Sequence, residues 1–427
     1  MSDTGAATPS PAPSSAPRRW LRRLLIAAAT LFALSLLGTW LLQPQRLVPL
    51  ILSRVGKSLA LDIRADGDAD VRWRGTPQLV VHALVVREPG AKTPLLRADR
   101  VLLSVPWSTL RNRGADPVVR RIELDAPTID LPALQAWLSK RPPSETRIPA
   151  LTDGMRATDG RIVGDAWRIE GVGLDLPALH PDHPLQLELH GRYADASAAV
   201  PFALAAAFTR PANDADMLVT GTFTVERGTW RMPATVVLKG PLHLGDGTVT
   251  LTPATLGMSA TSVSGDTRVP FALGLHGPLR FADGTLALTQ AGVALRGADA
   301  VPTLDAHGAL AIGRALSLQI DGALPRWPEA WPALPAPLSK STSPLPIALR
   351  YRGKPDLSDV TSLSLRRDAM RFDSRFRLYD VLGWATQTGG APLPPLDGHL
   401  QAPQLEISGA TLEGVDVQLD DEEIPSQ

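Results

Sequence analysis

Two stretches of the sequence carry nearly the same phrase, GPLHLGDGTVTLT at 240–252 and GPLRFADGTLALT at 277–289. Each sets an Asp-Gly pair between alternating runs, the signature of a two-residue hairpin turn in which glycine accepts a positive φ. Folded about Asp246-Gly247, the first phrase pairs Leu244 with Val249 and Leu242 with Leu251. Folded about Asp283-Gly284, the second pairs Phe281 with Leu286 and Leu279 with Leu288. Directly paired residues, and residues two apart on one strand, share a face of the sheet. Leu242, Leu244, Val249 and Leu251 therefore point one way, as do Leu279, Phe281, Leu286 and Leu288. His243, Thr248, Thr250 and Thr252 turn away in the first hairpin, and Arg280, Thr285, Ala287 and Thr289 in the second. An isolated ribbon of this kind is marginal in water, so its apolar side needs cover.

The same alternation recurs along the chain. It appears at Leu185/Leu187/Leu189, Leu316/Leu318/Ile320, Ile347/Leu349/Tyr351 and Val415/Val417/Leu419, each set against polar or small neighbours. Further Asp-Gly pairs at Asp66-Gly67, Asp153-Gly154, Asp159-Gly160, Asp321-Gly322 and Asp397-Gly398 read as turns. Helical patterns are short: Gln45–Leu61, with Leu47, Leu50, Ile51 and Val55 on one side and an end near Gly56, then Leu131–Lys140, Trp327–Leu334 and Tyr379–Gln387. Helices this few cannot cover about twenty strands that each have an apolar face. The sheets either pack face to face as sandwiches, or one long sheet curls into a trough filled by something other than protein. Serial turns and a detectable repeat favour a quasi-one-dimensional stack, a mostly β chain with an elongated, curled antiparallel sheet.

Residues 1–17 are rich in Ser, Pro and Ala and have nothing to bury, which reads as a disordered tail. Residues 18–43 follow, with RRWLRR preceding Leu24–Leu42, nineteen residues without a charge. At ~1.5 Å per residue such a helix is about 29 Å long, enough to cross a hydrocarbon core of ~30 Å. Trp20 and Trp40 lie where interfacial aromatics belong, and the four arginines mark the upstream side as cytoplasmic. The expected topology is a single-pass anchor with the N-terminus inside and the rest outside the cytoplasm. Lys plus Arg equals Asp plus Glu at 43 each, so there is no basic field for nucleic acid. Cysteine is absent, which rules out disulfides, thiolate metal sites and a cysteine nucleophile. No nucleophile elbow, phosphate loop or zinc-protease motif occurs. His180 and His183 in HPDH, and Asp66, Asp68 and Asp70 in DGDAD, read as solvated turns; the latter lack the later ligands of a calcium loop. Trp327 and Trp331 read as a packed corner and Asp420–Glu423 as a solubilising tail. The expectation is a protein without catalytic residues, cofactor or metal.

After the apolar run, QRLVPLILSRVGKSLALDIRADGDADVRW, GTPQLVVHALVVREP, LLRADRVLLSV and VVRRIELDAPTIDLPAL resemble the N-terminal module of the AsmA family. Gly56, Gly67, Pro77, Ala98, Val101, Leu103, Pro127, Ile129 and Leu131 stand at the matching places, and LEISGATLEGVDVQL resembles the family's closing strands. On this resemblance the module occupies 44–140 and a repetitive β-groove region occupies 141–427. It implies a Gram-negative inner-membrane protein whose periplasmic groove binds phospholipid acyl chains and serves lipid transport or outer-membrane biogenesis, with outer-membrane assembly components as possible partners. The eight apolar hairpin residues would then touch lipid. The rival expectation is a tether or assembly factor, similar to the N subunit of type II secretion machines, with no lipid transfer. The groove reading expects Leu251→Glu and Leu288→Glu to remain folded but lose lipid, while Thr250→Glu and Ala287→Glu are tolerated.

Overall fold

The computed structural model describes residues 59–111, 118–140, 150–245, 247–297, 301–329, 341–355, 357–378, 395–407 and 410–421, with scattered positions at 48–57, 336, 339, 380–381 and 424. Leu24–Leu42 lies outside the described residues, as do Leu47, Leu50, Ile51, Val55, Asp246 and Trp331. Among the described residues no helix is long and apolar enough to cross a membrane.

The chain is mostly β, folded into one large curled antiparallel sheet with few helices. Its first part holds β1 (Asp62–Ala65), β2 (Ala69–Arg72), β3 (Gln78–Arg87), β4 (Leu96–Ser104), β5 (Val118–Val119), β6 (Arg121–Asp125), β7 (Thr128–Asp130), β8 (Ala150–Leu151) and β9 (Met155–Val163). Two short helices interrupt it, α1 (Trp107–Arg111) and α2 (Leu131–Ser139). Asp130 caps α2 by accepting the Ala133 N–H at 2.9 Å, and Pro132 supplies the fixed φ that suits a first turn. β1 and β2 together form one edge of β3; β4 pairs its other edge and then β6 and β7. β9 runs parallel to β6 and β7, the crossover passing through α2, while β5 and β8 form a separate parallel pair.

From β9 onward every strand pairs the next one antiparallel. The series runs β10 (Trp167–Leu176), β11 (Leu185–Asp195), β12 (Ala199–Phe208), β13 (Asp214–Arg227), β14 (Trp230–Gly245), β15 (Thr248–Ser264) and β16 (Thr267–Ala282). It continues with β17 (Thr285–Gly297), β18 (Leu304–Ile312), β19 (Leu316–Leu324), β20 (Leu345–Gly353), β21 (Val360–Arg367), β22 (Met370–Arg377), β23 (Asp397–Ile407) and β24 (Ala410–Leu419). Both repeated phrases form the expected hairpins, with Leu242↔Leu251 and Leu244↔Val249 in one and Leu279↔Leu288 and Phe281↔Leu286 in the other. At the second turn Asp283 and Gly284 both have positive φ, 50° and 71°, as a two-residue turn matched to strand twist requires.

The repeat also marks a bend. Register shifts fall between Lys239 and Leu242, Leu251 and Ala254, His276 and Leu279, and Leu288 and Ala291, in line across β14–β18. Each shift leaves an extra residue in β15 or β17, and these bulges crease the sheet across β14–β18. Gly240-Pro241 and Gly277-Pro278 sit on the crease, where proline's missing N–H costs no ladder bond. A Cβ on Gly240 would lie 2.5 Å from the Pro253 carbonyl oxygen, so only glycine fits. The thirty-seven-residue spacing of the phrases is thus one full hairpin of the meander, the distance from the crease in β14 to the crease in β16.

Several expectations need correcting. Asp321-Gly322 lies inside β19, where Gly322 is crowded by Ala306 of β18, a close approach rather than a turn. Asp159-Gly160 lies inside β9 as an irregularity, with Asp159 at φ 52°, and Asp397-Gly398 opens β23. Asp66-Gly67 bends the chain between β1 and β2 without reversing it, both amides donating to β3 carbonyls. Of Trp327–Leu334, the described residues 327–329 are not helical. The five-residue α1 carries no periodicity long enough to be read.

Candidate functional site: an apolar sheet face

Cross-strand register assigns every side chain of the meander to a face. Starting at Leu187 in β11, direct partners run through Ala206, Val219, Leu238, Leu256, Leu275 and Val293. The row continues through Ala306, Gly322, Ile347, Leu365, Phe372 and Leu400 to Val417 in β24. Fourteen consecutive strands contribute to it, and none places a polar side chain there. One residue along, the row on the opposite face includes Gln186, Lys239, Thr255, His276, His307, Asp321, Asp373, His399 and Gln418. The meander has one apolar, dry face along its whole length and one mostly polar, wet face, on which Leu218 and Val237 also stand exposed.

The wet face is laced by cross-strand ion pairs. Arg156 meets Asp175, Arg192 meets Glu226, Arg296 meets Asp305, Arg350 meets Asp321 and Arg366 meets Asp373. Arg100 reaches both Glu123 and Asp125, His399 holds Asp416, and His243 holds Asp214. Hydrogen bonds from Arg100 and Arg350 hold the Asp125 and Asp321 carboxyls below the usual range. Because these folded-state values are depressed, their contribution is present above the ordinary carboxylate range and lost as pH falls through the depressed values. Acid titration followed by circular dichroism is therefore expected to show stability falling below about pH 4, and Asp321→Asn to flatten that fall. At the margin of the dry face, burial and a hydrogen bond to Asp195 push the Tyr193 hydroxyl up to about 12, so it stays a neutral donor.

Among the described residues the dry face is covered over β1–β4 and over the strands from β18 to β23. At the N-terminal end Val48 and Leu52 pack on β1–β4, among Val81, Leu84 and Val86. At the C-terminal end Leu304, Leu324, Leu345, Leu365, Met370, Ala402 and Leu405 form a core with Trp327 against it. A chain segment after β19 crosses to β23 there, Ala336 accepting the Glu406 N–H at 2.8 Å. Between these ends, the residues of the apolar row from β11 to β18 are all half-buried, none fully.

All eight expected lipid-contacting residues lie together on this face. Leu251↔Leu279 and Val249↔Phe281 join the two hairpins into one patch. The patch is graded: Leu242, Leu251 and Leu288 beside the crease are 8%, 4% and 5% exposed. Toward the turns Leu244, Phe281 and Leu286 are 36%, 43% and 38% exposed, and Ile312 of the next hairpin 41%. Leu251 and Leu288 are thus buried in the fold, so glutamate there is expected to unfold the chain rather than leave it folded. His180 and His183 sit 5.6 Å apart, and among the described residues no group of three or more His, Cys, Asp or Glu could hold a metal. A shallow hollow of about 710 Å³ lies mainly on the wet face, lined by Thr222, Thr235, Ser259 and Thr261, and its Arg296 is engaged by Asp305. Comparison with known families, with characterised proteins and with solved structures finds no match in any of the three.

Proposed function

We propose that the chain is a membrane-anchored, extracytoplasmic carrier whose apolar sheet face holds the acyl chains of phospholipids. The observation that carries this reading is the unbroken apolar row from Leu187 to Val417, only half-buried from β11 to β18. Each CH₂ moved from water onto such a face gains about 0.8 kcal/mol, so a long chain is held without any bond being made. A phosphate headgroup finds no matching cation within the apolar row and stays at the margin, in water. The likeness of residues 18–140 to the AsmA module supports an inner-membrane anchor at Leu24–Leu42 and a role in phospholipid traffic or outer-membrane biogenesis.

On this reading the trough is elongated. About twenty rungs at ~4.8 Å reach roughly 90 Å, whereas a globule of the same extramembrane length has a radius of gyration of ~21 Å. Small-angle scattering of residues 44–427 is expected to give a radius above ~26 Å, that of a 90 Å rod; a value near 21 Å would mean the sheet closes on itself. The full chain is expected to leave the membrane with phospholipid bound and to exchange it for a fluorescent fatty acid. A folded chain that takes up no such probe would refute the carrier.

A further inference from the structure

Trp73, directly after β2, and Trp107, the first residue of α1, meet with ring centroids 6.1 Å apart. The Trp107 indole N–H donates to the Gly75 carbonyl at 2.8 Å, which fixes the pair against the loop between β2 and β3. Both rings nevertheless stay open to solvent, at 37% and 42% exposure. Arg72, Arg74 and Arg111 are exposed around them, and Arg120 at the same strand ends is engaged by Asp153. Among the described residues Asp70 on β2 is exposed there and Asp153 is engaged by Arg120, so the surface is basic on balance.

The position of this pair gives it meaning. Gly56 accepts the Leu61 N–H and packs on Ile63, at the far end of the β1–β2 edge. Val48, before Gly56 in sequence, joins Val81 in the buried cluster on β3. Val81 pairs with Ala69, four residues and so about 13 Å short of Trp73. Residues 43–47 separate Val48 from the uncharged run Leu24–Leu42, and the six steps from Leu42 to Val48 reach at most ~22 Å. The apolar run thus leaves the module within reach of the strand ends that carry the tryptophans.

We infer that the strand ends bearing Trp73 and Trp107 rest on the membrane surface, the indoles at headgroup level and Arg72, Arg74 and Arg111 against anionic headgroups. The inference rests on the reading of Leu24–Leu42 as a membrane span. Indole suits this depth because its ring is apolar while its N–H is polar, and clustered arginines beside a span attract anionic lipid. The contact would hold the first rungs of the sheet against the bilayer from which lipid is drawn.

The chain has no cysteine, so a single introduced one reports one place. Ser108→Cys, exposed beside Trp107, and Thr411→Cys, exposed in β24, are each labelled with an environment-sensitive fluorophore in the full chain. Both are reconstituted into phosphatidylethanolamine–phosphatidylglycerol vesicles containing a lipid nitroxide at headgroup depth. The label at 108 is expected to be quenched about twofold or more over that at 411, and less so when Trp73→Ser is added. Equal quenching at both positions in an incorporated chain overturns this contact and leaves the anchor standing. A chain that does not incorporate overturns both.

Discussion

Leu251→Glu and Leu288→Glu are expected to unfold the chain rather than empty it. Both leucines are under 6% exposed, packed beside the crease where β14–β18 bend together. Leu242, Leu251 and Ala254 share one cluster with Leu238 on the other side of the bend, so this patch holds the crease shut. Removing such a leucine costs about 2–5 kcal/mol, and placing an unpaired carboxylate there adds several more. Thr250→Glu and Ala287→Glu, one residue away on the wet face, meet His243 and Arg280 across the ladder and should change stability by about 0.5 kcal/mol. Thermal melts of the four variants check this: two should collapse and two should match the wild type. Melts unchanged in all four would mean the crease carries no load.

The opposite outcome is expected at the rim. Phe281 and Leu286 are direct partners on the dry face and more than a third exposed, so the double change Phe281→Glu, Leu286→Glu removes apolar surface that the fold does not use. Melting should stay close to that of the wild type. Uptake of a fluorescent fatty acid should fall about tenfold, the effect of 1.4 kcal/mol. Unchanged uptake would place the acyl chains elsewhere; a collapsed melt would show that the rim is core after all.

Much of this was legible in the sequence because the side-chain period of a strand is two and Asp-Gly fixes a hairpin's register. Those two facts placed all eight rim and crease residues on one face before any coordinates, and Leu185–Leu189 or Leu316–Ile320 read as strands for the same reason. What alternation cannot supply is the third dimension. Leu244 and Leu251 look equivalent in the repeat, yet one is open and the other sealed, because Leu251 abuts a crease that arises from bulges in β15 and β17. A signal for it was present: Gly-Pro inside an otherwise regular strand marks a level where the ladder is interrupted, here opposite the bulges of β15 and β17. Asp-Gly misled at Asp321-Gly322 because glycine also serves close packing, here under Ala306. Trp73 and Trp107, thirty-four positions apart, could not be paired until β2, β3 and β4 brought their strand ends together.

The central claim is that acyl chains lie on the dry face, and register neighbours test it most directly. A photo-crosslinking amino acid at Leu187, Leu256 or Phe281 points onto that face; at Glu188, Thr255 or Arg280 it points away. In cells grown with labelled phosphate, irradiation should yield phospholipid adducts at the first three positions and none at the second three. Adducts at all six, or at none, would contradict the account.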